Sequence, residues 1–149
     1  MAIPPIPSQL TLEIVTPDRA VAHADVDEVE IPGEDGYIGV LPGHTPLLTS
    51  LKVGEMWYRR GVERHFLSVA FGFAEVLPDR VIVLARMAEK AEDIDIARAE
   101  AARRRAEERL AQAKVTGAGR IDHDLERTRV ALLKAMVRLN VATRARTRG

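Results

Sequence analysis

Between Gln9 and Ala88 the apolar residues fall in short runs bounded by turn formers, the pattern of strands rather than helices. Leu10-Thr-Leu-Glu-Ile-Val15 alternates apolar and polar positions and stops at Thr16-Pro-Asp18. Ala24-Asp-Val-Asp-Glu-Val-Glu-Ile31 turns Val26 inward and then, after a shift, Val29 and Ile31, which predicts a bulge. Further strands are predicted over Tyr37 to Leu41, Gly54 to Arg60, Val62 to Val69, Ala70 to Val76 and Arg80 to Ala85, with turns at Arg60-Gly61 and Leu77-Pro-Asp-Arg80. Short strands at this spacing predict an antiparallel sandwich or barrel, and in so small a domain the core is thin.

From about Glu92 onward the periodicity becomes helical. Asp93 or Asp95 can cap a first helix whose Ala99, Ala102, Ala106, Leu110 and Ala113 share a face. Thr116-Gly-Ala-Gly119 breaks it, and a second helix can start at Asp122 or Asp124 with Leu125, Leu132, Met136 and Leu139 on one face. The product is a helical hairpin. Alanine brings one methyl to such an interface, at about 0.8 kcal/mol per buried CH₂-sized group, so the helices pack closely but are held loosely. Ala, Arg, Leu and Glu are good helix formers, so an undocked helix would survive and move as a unit; a static hairpin satisfies the same pattern. The expected fold class is β + α: an N-terminal antiparallel β-sandwich over residues 1–88, then a C-terminal two-helix antiparallel hairpin over residues 89–149.

Composition draws the same division. All six aromatics, Tyr37, Trp57, Tyr58, Phe66, Phe71 and Phe73, precede residue 74. The whole chain is neutral, yet residues 1–90 carry 8 Lys/Arg against 13 Asp/Glu, and residues 91–149 carry 14 against 9. A basic tail suggests an acidic partner: nucleic acid, anionic lipid or an acidic protein face. Nucleic acid is disfavoured because the helices offer no aromatic stacking platform. Without cysteine there is no disulfide framework, thiolate metal site or thiol nucleophile. No run of about 18 apolar residues appears, and Met1-Ala-Ile-Pro-Pro-Ile-Pro7 lacks the charged start of a signal peptide. The expectation is a chain soluble by itself that meets a membrane only through partners.

Candidate chemistry is sparse. His23, His44, His65 and His123 lack a short metal-ligand spacing and a nucleophile partner, which favours structural or surface roles and a non-catalytic protein. No Walker-type glycine loop is present. Arg98 and Arg105, seven residues apart, share a helix face, and Lys134 and Arg138 are spaced i, i+4. Folding the hairpin could gather these four cations around a triphosphate. The competing reading makes Asp95 a helix cap with Arg98 as its helical partner. The arginines from Arg98 to Arg109, with Arg127, Arg129, Arg138, Arg144, Arg146 and Arg148, form either a solvated face or a contact surface.

The most distinctive run is Gly36-Tyr-Ile-Gly-Val-Leu-Pro-Gly-His-Thr-Pro-Leu-Leu-Thr49, in which three glycines and two prolines punctuate an apolar stretch. Gly39 and Gly43 permit positive φ or close approach, while Pro42 and Pro46 fix φ, so a strand ends in a rigid corner. Together with Val29-Glu-Ile-Pro-Gly-Glu-Asp-Gly36 and the Ala-rich hairpin, it resembles the epsilon subunit of rotary F-type ATP synthases over nearly the full chain.

The resemblance implies an accessory rotor component of the central stalk that couples proton transport to ATP synthesis and performs no chemistry of its own. Its implied partners are the gamma subunit, the c-subunit ring and the alpha and beta subunits of the catalytic ring. It implies a peripheral place on the cytoplasmic side of the cell (inner) membrane. By position, the turn Pro32 to Gly36 faces the c ring, with Glu34, Asp35 and Tyr37 as contacts; family members often carry an acidic residue where Tyr37 stands. Ile94-Asp-Ile-Ala-Arg-Ala99 fits the pattern with which some bacterial members bind ATP. Asp95, Arg98, Arg105, Lys134 and Arg138 would then form a regulatory ATP site, no other cofactor being required. Lys134 stands where ATP-binding members have arginine and loses its bidentate fork. An extended hairpin that inhibits ATP hydrolysis would meet the catalytic ring through Arg127, Arg129 and Arg138. A different class fits the layout as well: a free β-sandwich adaptor with a helical oligomerisation tail.

Overall fold

The computed structural model describes residues 2–115 and 123–146, and the chain divides into two compact units, Met1–Lys90 and Ala91–Gly149. The first unit holds eight strands: β1 (Leu10–Val15), β2 (Ala20–Val26), β3 (Glu28–Gly33), β4 (Gly36–Val40), β5 (Leu47–Leu51), β6 (Gly54–Arg60), β7 (Glu63–Leu77) and β8 (Arg80–Lys90). They run in the order β2-β1-β8-β7-β5-β3-β4, with β6 pairing β7 and β3. The sheet therefore doubles over on itself as a sandwich. Leu12, Ile14, Val29, Ile31, Met56 and Val83 lie fully buried between its layers. Pairing is antiparallel except between β1 and β8, which run parallel.

The observed strands depart from the expected ones where the chain changes partners. Residues 24–31 are two strands, not one bulged strand: β2 pairs β1, whereas β3 pairs β4 and β6, and Asp27 sits between. The shift in the inward pattern marks that transfer. Asp27 fixes the junction, its carboxylate accepting the Gly61 amide at 2.6 Å and the Gln9 amide at 3.2 Å. Conversely, the two strands expected over residues 62–76 are one, β7, which bends at Phe71 (φ 60°) and Gly72 (φ 117°). A Cβ at Gly72 would lie 2.0 Å from the Leu84 carbonyl oxygen, so only glycine fits. Strand β8 continues past Ala85 to Lys90, and β5 is a strand the apolar pattern does not predict.

The second unit comprises a 3₁₀ turn (Ala91–Asp93), α1 (Ile96–Val115) and α2 (His123–Arg146). Asp95 is the cap of α1: its carboxylate accepts the Arg98 amide at 3.0 Å and its carbonyl accepts that of Ala99 at 3.0 Å. The predicted break at Thr116 to Gly119 and the candidate start at Asp122 lie outside the described residues.

Helix α1 buries Ala99 and Ala106 as its spacing predicts, but α2 departs by one position. Met136 is 47% exposed, and Ala135, at 2%, takes its place. The seam runs through Leu125, Thr128, Leu132, Ala135, Leu139 and Ala142, spacings of 3 and 4 that make a seven-residue repeat. Buried Thr128 satisfies its hydroxyl on the Asp124 carbonyl at 2.8 Å.

Candidate functional site

Three surfaces of this fold carry groups that its core does not use. The first is the outer face of β5, β7 and β8. Alternation along β7 sends Ala74 and Val76 inward and Phe73 and Glu75 outward. Phe73 pairs directly with Leu84, and Leu48 pairs with Glu75, which places Leu48, Phe73 and Leu84 on one face. They are exposed by 71%, 56% and 55% respectively. Half-buried Val15, paired with Leu84 in β1, continues the stripe. An apolar stripe across four strands, flanked by Glu13, Glu75 and Arg86, is the composition of a docking face rather than of scattered surface apolar residues.

The second surface is the β3–β4 turn. Gly33 pairs Gly36, leaving Glu34 and Asp35 exposed at the tip. The Glu34 amide donates to the Ser50 carbonyl at 2.9 Å and the Lys52 amide to that of Pro32 at 3.0 Å, which ties the turn to the end of β5. Tyr37 follows, with the Lys52 ammonium 5.4 Å from its ring centroid. A Cβ on Gly54 would come within 3.0 Å of the Tyr37 hydroxyl, so that glycine leaves room for the ring to lie down. Glu34, Asp35 and Tyr37 thus share one acidic, aromatic tip.

Nearby in sequence, the Pro42-Gly43 corner is held by the Gly43 amide, which donates to the Pro78 carbonyl at 2.8 Å. His44 places Nδ1 2.7 Å from the Thr45 carbonyl oxygen. Among the described residues, no three His, Asp or Glu are placed to hold a metal ion.

The third surface is a groove of about 700 Å³ in the hairpin. Its floor includes Ala102, Ala106, Leu125, Thr128 and Ala131, and Arg105, Arg109 and Arg127 also line it. The C-terminal half of α1 therefore lies beside the N-terminal half of α2, as an antiparallel hairpin requires. Of the five residues of the motif-derived nucleotide set, Arg105 alone lines this groove. Asp95 caps α1, Arg98 is exposed at its first turn, and Lys134 and Arg138 are half-buried on α2, each already engaged in an interaction. Arg127 and Arg129, read from the sequence as one contact surface, differ: Arg129 pairs with Glu126 at 2.6 Å, whereas Arg127 lines the groove. The sequence pattern did not single out the outer sheet face. Alternation along β7 and β8 is its signal within each strand, and the register between them completes it.

Comparison with known proteins bears on both units. Residues 9–91 match the β-sandwich domain of the ATP synthase delta/epsilon chain, and residues 92–143 match its long α-helix domain. The chain belongs to the ATP synthase delta/epsilon family. It is 49% identical over 136 residues, 91% of this chain and 95% of the relative, to ATP synthase epsilon chain 2 of Syntrophotalea carbinolica. It is 46% identical over 139 residues, 93% and 96%, to the epsilon chain of Dehalococcoides mccartyi. In fold it resembles a chain of the Euglena gracilis mitochondrial ATP synthase structure containing OSCP, F1 and the c-ring, with TM-score 0.64 and 19% identity over 99% of this chain and 85% of that one. A chain of the Tetrahymena thermophila central stalk and c-ring structure matches with TM-score 0.51 and 14% identity, covering 91% and 95%. No helix among the described residues is long and apolar enough to cross a membrane.

Proposed function

We propose that this chain is a non-catalytic rotor component of the central stalk of a proton-translocating ATP synthase, carried by its β-sandwich unit on the gamma subunit. The observation that carries the reading is the apolar stripe of Leu48, Phe73 and Leu84, unpaired on a folded unit whose family relatives are ATP synthase epsilon chains. A flat, strand-borne apolar face suits a permanent protein partner. The acidic tip of Glu34, Asp35 and Tyr37 is the surface offered to the c-subunit ring, and the whole lies peripherally on the cytoplasmic side of the inner membrane. Capture by immobilised gamma subunit tests this: the parent chain should be retained, and Phe73→Asp and Leu84→Asp should lose retention while keeping the parent circular dichroism spectrum. Retention of both variants at parent affinity would refute the assignment of this face.

The hairpin restrains ATP hydrolysis by extending toward the alpha and beta subunits, a motion suited to a seam in which Thr128, Ala135 and Ala142 of α2 are buried while Leu125, Leu132 and Leu139 stay partly exposed. Regulatory ATP binding through Asp95, Arg98, Arg105, Lys134 and Arg138 would favour the paired helices only to the extent that it prefers them. Deleting residues 92–149 should raise hydrolysis in the reassembled complex and spare synthesis. Unchanged hydrolysis would contradict the restraint.

A further inference from the structure

We infer that the proline-rich segment ahead of β1, residues 2–7, is a second clamp on the gamma subunit, laying Ile3 and Ile6 on an apolar strip of that partner. This role rests on the gamma assignment of the outer sheet face and extends it to residues outside the sheet. The segment Ala2-Ile-Pro-Pro-Ile-Pro7 carries no charge. Pro4, Pro5 and Pro7 fix their own φ and hold the residues before them, Ile3 and Ile6 included, in extended backbone. A polyproline-type segment turns once in about three residues, so Ile3 and Ile6 come to the same side. They are 92% and 76% exposed. Such a segment is stiff before it meets a partner, and docking costs it little conformational entropy.

Its position decides which partner it meets. Ile6 lies against the Pro42-Gly43 corner: a Cβ on Gly43 (φ 87°) would lie 3.0 Å from the Ile6 Cγ2. The Gly43 amide donates to the Pro78 carbonyl at 2.8 Å, and the Thr11 amide at the start of β1 donates to that of Asp79 at 2.9 Å. Both the corner and the chain leaving the segment are thereby fastened to the β7–β8 turn. Leu41, exposed just before the corner, adds to the apolar surface. From Phe73 to Leu77, next to that turn, β7 climbs about 14 Å at about 3.4 Å per residue. Alternation puts Leu77 on the Phe73 side, and Ile82, paired with Glu75, shares it; both are half-buried and bridge the interval. A standard interface covers about 800 Å² of each partner, a patch about 28 Å across. A partner seated on Phe73 and Leu84 therefore reaches Ile6 within one interface.

Surface plasmon resonance of the full chain on immobilised gamma subunit tests the assignment. Dissociation should be about tenfold faster in Ile6→Asp and in a chain lacking residues 2–7, because burying one isoleucine side chain is worth about one decade of affinity or more. Pro4→Gly combined with Pro5→Gly, which keeps both isoleucines and loosens the backbone between them, should speed it about threefold. Val62→Asp, an equal change of chemistry at a 97% exposed position on the β6–β7 turn, should stay within about twofold of the parent. Residues 2–7 lie in no strand, so the urea midpoints should equal the parent's. Parent dissociation rates in both Ile6→Asp and the shortened chain, with Phe73→Asp unable to bind, would overturn the clamp and leave the outer-face assignment standing. Failure of the parent chain to bind would overturn both. Equal acceleration by Val62→Asp and Ile6→Asp, or a dimer of the free chain that Ile6→Asp abolishes, would also overturn it, the latter assigning the segment to a second copy.

Discussion

Replacing Gly72 by alanine probes the bend that carries β7 across the sandwich and turns Phe73 outward. The added Cβ meets the Leu84 carbonyl oxygen at 2.0 Å and the Ala85 Cα at 2.8 Å, both backbone atoms that cannot rotate away. Holding a non-glycine residue at φ 117° costs about 1–3 kcal/mol, and relieving the overlap by shifting β8 costs about 1–3 kcal/mol more. A loss of about 2–6 kcal/mol should lower the melting temperature of a unit this size by about 8 °C or more. Trp57, the sole tryptophan, reports the transition, since the Arg64 guanidinium lies 4.4 Å from its ring centroid only in the folded sheet. Gly39→Ala is the matched control: its φ is not positive and no atom lies within 4 Å of the new Cβ, so it should be neutral or stabilising by up to about 1 kcal/mol. A Gly72→Ala protein within about 0.5 kcal/mol of the parent in urea titration would refute the reasoning.

Further consequences follow from the same geometry. Asp95→Ala should remove the cap of α1 and cost about 1 kcal/mol of hairpin stability, read by far-ultraviolet circular dichroism on heating, while Asp95→Asn should restore most of it. The Gly61 amide, aided by Gln9 and the charges of Arg59 and Arg60, holds the Asp27 carboxyl below the usual carboxylate range. A pKa lower in the folded than in the unfolded chain contributes stability that is present above about pH 4 and lost as pH falls further. Asp27→Asn should accordingly flatten the acid limb of the Trp57 stability profile. Ala135→Glu should destabilise the hairpin by more than about 2 kcal/mol, and Met136→Glu should stay within about 0.5 kcal/mol of the parent. Reversed outcomes would restore Met136 to the seam.

Much of this architecture was legible because local patterns obey short-range rules. Alternation over Leu10–Val15 and the Arg60-Gly61 turn fix their strands without reference to distant residues, and the Asp95 cap follows from residue type and position. What stayed hidden depends on partners far away in sequence. The shift at Asp27 looks the same in one bulged strand as in two strands with different neighbours. Gly72 reveals a bend only once β8 lies against it. Leu47–Leu51 becomes a strand because β7 offers its ladder, although Pro46 directly precedes it. On α2 the choice between Ala135 and Met136 is a single residue, which the seven-residue seam settles and the size of the side chain does not. The outer face was obscured for a related reason: only the cross-strand register sets Phe73 beside Leu84 on the solvent side.

The central claim, that this chain works as a stalk component of ATP synthase, is tested most directly by affinity purification of the tagged full-length chain from detergent-solubilised native membranes. The gamma, alpha, beta and c subunits should be recovered with the parent chain in constant ratio, and all four should be lost together from the Phe73→Asp chain. Recovery of the parent chain alone, or only with further copies of itself, would contradict the account and favour a free adaptor with a helical oligomerisation tail.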